Sequence, residues 1–129
     1  MKYAILINCS PESSDASRVA YRFSAAVLQK GHRILQIFFY RDGIHNALRY
    51  ALPPESQTPA AEQWSQLAAE HGIDLVVCIS AAQRRGLLHA DEAQRRGACD
   101  DNLAPGFRIA GLGQWLQASM EADRHLVFG

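Results

Sequence analysis

Three short apolar runs, Tyr3–Ile7, Ile34–Phe39 and Ile73–Ile79, alternate with stretches of helical periodicity, and this alternation constrains the fold more than any other feature. Each run has the length of a strand and few polar residues, the pattern of strands covered on both faces. Between the first two, Ala16, Val19, Ala20, Phe23, Ala26 and Val27 recur at helical spacing. The hydroxyl-rich and acidic segment Pro11–Ser17 precedes them as turn and cap, and Gly31 follows as the stop. Tyr40-Arg-Asp-Gly43 then reads as a turn leading into a short helical stretch near Ile44, Ala47 and Leu48. Pro53, Pro54 and Pro59 punctuate a surface loop. Ala60–His71 predicts a helix with Trp64, Leu67 and Ala68 on one face and Gly72 as its end. Further on, Ser80–Arg85 and Ala90–Arg96 predict helical turns closed by Gly86 and Gly97. Phe107–Ala110 predicts a fourth strand; Leu112, Trp115, Leu116 and Met120 mark a last helix, and Leu126–Phe128 a fifth strand. There is no internal repeat and no low-complexity segment.

Strands alternating with helices imply right-handed crossovers and a parallel sheet with helices on both faces, an α/β fold. Five strands predict a flavodoxin-like order 2-1-3-4-5. A chain of 129 residues, 48% hydrophobic and 20% charged, suits a single domain spanning 1–129 with its own core. In open sheets of this kind the working crevice lies beyond the carboxyl ends of the strands, where the winding reverses. That rule selects three loops: Asn8–Ser17, Tyr40–Asn46 and Cys78–Arg85.

Composition removes several function classes. A formal net charge of zero gives no basic footprint for direct nucleic-acid binding or for an anionic membrane. The five histidines and three cysteines fall at no metal-site spacing, so no metal is expected. Three widely spaced cysteines make a poor disulfide framework and suit a reducing cytoplasm. The apolar run at Tyr3–Ile7 is too short for a signal-peptide core or a membrane span.

Cys78 is the sharpest chemical candidate. It lies at the carboxyl end of the third strand, directly before a predicted helix start, where unpaired N–H groups and the helix dipole favour a thiolate. Arg84 and Arg85 downstream, and Arg41 on the second-strand loop, could add positive charge. Each has an ordinary structural reading too: a small buried residue at a strand end, and a solvated helix end. Cys9 ends the first strand, which neighbours the third in the expected order. It is either a resolving thiol within reach of Cys78 or a small buried residue. Cys99, in the Ala98–Pro105 loop, reads as incidental.

The stretch Val77-Cys-Ile-Ser-Ala-Ala-Gln-Arg-Arg-Gly86, with Phe38-Phe-Tyr-Arg-Asp-Gly-Ile-His-Asn46 before it and Gly111–Gly113 through Ala122–Arg124 after it, resembles the TusD/DsrE family over essentially the whole chain. The resemblance implies a sulfurtransferase subunit without metal or organic cofactor. Its active cysteine aligns with Cys78, accepts a sulfane sulfur as a persulfide and passes it on. It implies a cytoplasmic hetero-hexamer with two smaller paralogous subunits, TusB/TusC-like or DsrH/DsrF-like. It also implies a TusA-like donor and a TusE- or DsrC-like acceptor, in a relay serving either tRNA 2-thiouridine synthesis or dissimilatory sulfur oxidation. Tyr40, Arg41, Asp42 and His45 are candidates for the rim of the pocket; their alternative is a turn with capping residues.

The same scaffold hosts other chemistries, which the sequence fits less well. Cys78 and Arg84 satisfy the C-x5-R spacing of cysteine phosphatases, yet the intervening Ile-Ser-Ala-Ala-Gln lacks the glycines that let such a loop curl round an oxyanion. An FMN site would need a phosphate loop after the first strand, and Ser10–Ser17 has no glycine. A phospho-acceptor receiver domain would need an aspartate where Cys78 stands. A non-catalytic assembly subunit of the same fold remains open.

Overall fold

The computed structural model describes residues 1–54, 57–97 and 100–129. Its elements run β1 (Lys2–Ile7), α1 (Ala16–Gln29), β2 (Arg33–Phe39), a 3-10 helix (Arg41–Ala47), α2 (Ala60–His71), β3 (Asp74–Cys78), α3 (Ile79–Arg85), α4 (Ala90–Arg95), β4 (Phe107–Ala110), α5 (Gly113–Glu121) and β5 (Arg124–Phe128). Every strand and helix expected from the sequence is present within a few residues. Cys99 lies outside the described residues.

All strand pairs are parallel, but the order is β4-β3-β2-β1-β5, which corrects the expected 2-1-3-4-5. The chain adds β2, β3 and β4 successively on one side and only then returns past the whole sheet to lay β5 against the far side of β1. The physical reason is burial. In β2 the segment from Gln36 to Phe39 is buried without a break, and such a strand belongs in the interior. The edges are taken by β4, only four residues long and carrying Arg108, and by β5, which contains Arg124 and His125 and has no buried residue. Polar residues on outer strands also blunt the sheet edges against adventitious pairing.

The pleat divides the core into two layers. On one face Ile5, Ile7, Ile37, Phe39, Leu75 and Val77 are buried beneath α1 and α2. There the Trp64 ring meets Phe39 at 5.6 Å and Tyr21 at 5.1 Å, both edge-on. On the other face Leu6, Phe38 and Val76 lie under α5, whose Trp115 sits 6.4 Å from Phe38. Sequence periodicity grouped Trp115 with Leu112, Leu116 and Met120, yet only Trp115 and Ala118 turn inward. Leu112, Leu116 and Met120 are 49%, 60% and 78% exposed.

At the amino end of β3, Asp74 accepts two bonds from Arg108, both 2.8 Å, and one from the buried Gln36 at 3.3 Å. The Arg108 contact, then that of Gln36, hold the Asp74 carboxyl below the ordinary aspartate range against the opposing effect of burial. A depressed carboxyl stabilises the fold above its unfolded pKa of about 3.9 and loses that contribution as pH falls through its lower folded value. Both side chains are more than a third exposed, so solvent screening keeps the pair at about 1 kcal/mol. Arg108→Gln is therefore expected to lower urea stability by about that much at pH 7, with the difference vanishing in strong acid. Equal loss at both pH values would contradict this.

Candidate functional site

β2 and β3 end side by side: Phe39 pairs with Val77, so Tyr40 continues beside Cys78. Two segments leave these ends, the 3-10 helix after Tyr40 and α3 after Cys78. Cys78 is still extended (φ −63°, ψ 123°) and serves as the N-cap residue of α3. The pleat places it on the same side as Val76 and its β4 partner Ala110, the side covered by α5. As expected, the thiol is at the carboxyl end of β3 and at a helix start. It is, however, only 3% exposed, so the single chain at rest does not present it to another protein.

The 3-10 helix is fixed from several directions. Its Gly43 packs against the backbone at the end of β1, and Tyr40 N–H donates to the Ile7 carbonyl at 2.9 Å. Asn46, fully buried, accepts from Ser17 Oγ at 2.8 Å and from Trp64 Nε1 at 3.1 Å. Its Nδ2 donates to the carbonyls of Gly43 at 3.0 Å and Cys9 at 3.3 Å. Every polar atom of its side chain is thus paired, and α1, α2, the β1 loop and the 3-10 helix are tied together. Sequence reasoning named the loop ending at Asn46 but did not single out this residue. A lone polar residue among Ile44, Ala47 and Leu48 was the available signal.

The other predicted site residues separate into groups. Asp42 and Arg85 meet: Arg85 Nε donates to Asp42 Oδ1 at 3.0 Å, and its Nη1 donates to the Ala81 carbonyl at 3.2 Å. Arg41 has a left-handed backbone, φ 50°, and its guanidinium lies over the Tyr40 ring, 5.8 Å from the centroid. The Tyr40 ring is itself 6.4 Å from Phe38. His45 turns away, bonding the Asp42 carbonyl through Nδ1 at 3.0 Å and lining a separate cleft with Ser10, Glu12 and Leu48. Arg84 is exposed on the outer side of α3.

The observed strand order also moves Cys9. β2 stands between β1 and β3, so the ends of these strands are about 10 Å apart, beyond the Cα separation a disulfide allows. The expectation that β1 neighbours β3 is corrected accordingly. Cys9 instead faces Gly129 beyond β5, where the winding reverses, and Cys78 lies away from that reversal. The C-x5-R reading fares no better. Residues 79–85 are helical throughout, so their backbone does not curl into an oxyanion cradle.

Among the described residues, no three His, Cys, Asp or Glu side chains converge as a metal ion would require, and no helix is long and apolar enough to cross a membrane. The model of the DsrE/DsrF-like family matches residues 1–128. The chain is 46% identical to a protein of Allochromatium vinosum named putative sulfurtransferase DsrE, over 100% of this chain and 99% of that one. It is 43% identical to the sulfurtransferase TusD homolog of Pseudomonas aeruginosa (100% and 98%) and 37% identical to that of Vibrio vulnificus (99% and 98%). Among solved structures the ychN protein from E. coli superposes with a TM-score of 0.79 at 20% identity, covering 99% of both chains, a likeness of fold.

Proposed function

We propose that this chain, which belongs to the DsrE/DsrF-like family, is a sulfur-relay subunit that carries sulfane sulfur on Cys78. The observation that carries this reading is the place of Cys78, at the end of β3 and the first turn of α3, within a chain alike from end to end to proteins named sulfurtransferases.

The chemistry needs no oxidant. The Cys78 thiolate attacks the outer sulfur of a donor persulfide; the new S–S bond forms as the donor's S–S bond breaks, and the donor leaves as its thiolate. An acceptor thiolate then attacks the outer sulfur of the Cys78 persulfide, and Cys78 leaves as thiolate. Each step exchanges one S–S bond for another. While it waits, the anionic persulfide lies against the first N–H groups of α3, which have no partner within the helix.

The exposed stripe Leu112, Leu116 and Met120, with Val127 at 56%, lies on the face that holds Cys78 and supports assembly with other subunits, since contiguous exposed apolar surface is uncommon on monomers. A hetero-hexamer with TusB/TusC- or DsrH/DsrF-like subunits is the assembly we propose, with a TusA-like donor and a TusE/DsrC-like acceptor. The reducing cytoplasm is the compartment that keeps such a thiol usable. The relay serves tRNA 2-thiouridine synthesis or dissimilatory sulfur oxidation, and the acceptor that takes the sulfur distinguishes the two.

The test is mass spectrometry after incubation with a persulfide donor: a gain of about 32 Da on the peptide holding Cys78. No gain contradicts the reading and favours a non-catalytic assembly subunit; a gain on Cys9 or Cys99 alone contradicts the assignment of the carrier to Cys78.

A further inference from the structure

Arg18 and Arg22 stand where an α-helix gains nothing from them. They are four residues apart on α1, a spacing at which like charges face and repel each other. Arg18 also falls in the first turn, which holds no acidic residue and where the helix dipole disfavours a cation. Arg49, Arg85 and Arg108 each meet a carboxylate; among the described residues neither Arg18 nor Arg22 does. Both instead line a single groove of about 490 Å³ between α1 and α2. Tyr21 of α1 and Gln63 of α2 line it as well, together with the buried Trp64. The Tyr21 ring rests edge-on against Trp64 at 5.1 Å, so this wall is fixed by the core. Among the described residues Glu12 is the one carboxylate lining the groove, and it forms an ion pair with neither arginine.

We infer that this groove binds an extended acidic segment of a partner polypeptide. The spacing fits. Side chains four apart on a helix leave it about 5–6 Å from each other, and alternate residues of an extended chain project to one side about 6.6 Å apart. Two carboxylates at alternate positions therefore meet the two guanidinium groups, whose planar forks match carboxylate geometry. The Gln63 amide, with no hydrogen bond of its own among the described residues, offers a donor and an acceptor to the peptide backbone. Free phosphate fits less well, because such sites are usually wrapped by the backbone N–H groups of a glycine-containing loop and no glycine is among the described residues of the lining. The formal net charge of the chain is zero, so the attraction is local and not that of a generally basic surface. Trp64 packs on Phe39, on the side of the sheet opposite to that of Val76 and Cys78, so a segment held here leaves the α5 face free.

The experiment is an NMR titration of the full chain with a blocked peptide that carries glutamates at alternate positions. Saturable shifts are expected in the amides of α1 and α2 that border the groove. Arg18→Gln and Arg22→Gln should each weaken binding about two- to fivefold, the range of one partly exposed ion pair. Arg33→Gln, which removes the same charge at the start of β2, should leave it unchanged. Raising salt to 1 M, where the screening length is about 3 Å, should abolish it. Urea stability of Arg18→Gln should equal or exceed that of the parent, since the charge serves binding and not the helix. Absence of groove shifts overturns the inference, as does an equal loss in Arg33→Gln. So does undiminished binding of the same peptide with glutamine in place of glutamate. Pyrophosphate that binds more tightly than the peptide would make the groove a phosphate site, and lower stability of both arginine variants would assign the pair to the fold; either result overturns the inference too. The readout involves neither Cys78 nor sulfur, so these outcomes are separate from those that test the relay.

Discussion

Replacing Cys78 with serine will abolish sulfur transfer through this subunit, with the gain of about 32 Da falling to background and flux to the acceptor lost by orders of magnitude. A serine hydroxyl is not ionised near neutral pH and forms no persulfide, so the step loses its nucleophile. The fold should survive. Cys78 is buried against Ala110 and the start of α3, and serine is nearly isosteric, so the cost is that of one buried hydroxyl, about 1–3 kcal/mol when unpaired. Cys78→Ala, which buries no hydroxyl, separates chemistry from stability: it should lose transfer just as completely. Cys9→Ser should retain transfer, because β2 separates the two thiols and Cys9 has no route to resolve a persulfide on Cys78 within one chain. Retained transfer in Cys78→Ala, or loss of transfer in a folded Cys9→Ser, would show that sulfur travels by another thiol.

The place of Cys78 was legible in the sequence because it depends on local signals: an apolar run that ends, a helix that begins, and Gly86 that stops it. Helix and strand positions were legible for the same reason. The strand order was not. Three strands apolar on both faces fit several orders equally well, and the cue was comparative: β2 is apolar nearly throughout, whereas β4 and β5 carry Arg108, Arg124 and His125. The error carried over to Cys9, whose distance from Cys78 depends wholly on that order.

The rim of the site was half legible. Asp42 and Arg85 were both named, but their contact spans 43 positions, and no local pattern encodes it. Arg84 and Arg85 are adjacent and chemically equal in the sequence, and only the direction each takes from α3 separates them. The apolar stripe of α5 shows the same limit in another form. Helical spacing of Leu112, Leu116 and Met120 is identical whether the stripe meets the chain's own core or another subunit, and here Trp115 alone of the four enters the core.

Gly43→Ala should be among the most damaging single substitutions outside the thiol itself, costing about 3 kcal/mol or more in urea unfolding. The sequence presents Gly43 as the glycine of a turn, yet the left-handed position in that turn is Arg41, with φ 50°. Gly43 is needed for a different reason. A β-carbon there would collide with the Ile7 carbonyl oxygen and stand 2.8 Å from its carbon, both of them backbone atoms at the buried end of β1 that cannot swing aside. The same oxygen accepts the Tyr40 N–H, so relief of the clash pulls the 3-10 helix off β1, breaks that bond and loosens the Asn46 network. The 3-10 helix would then shift relative to the ends of β1 and β2, and the cooperative loss should appear in urea unfolding. Gly113→Ala is the matched control: it opens α5 with no heavy atom within 4 Å of the added carbon, so it should be neutral or stabilising by about 0.5 kcal/mol. Should Gly43→Ala unfold at the same urea concentration as the parent, the close approach of the 3-10 helix to β1 is not what fixes this corner of the fold.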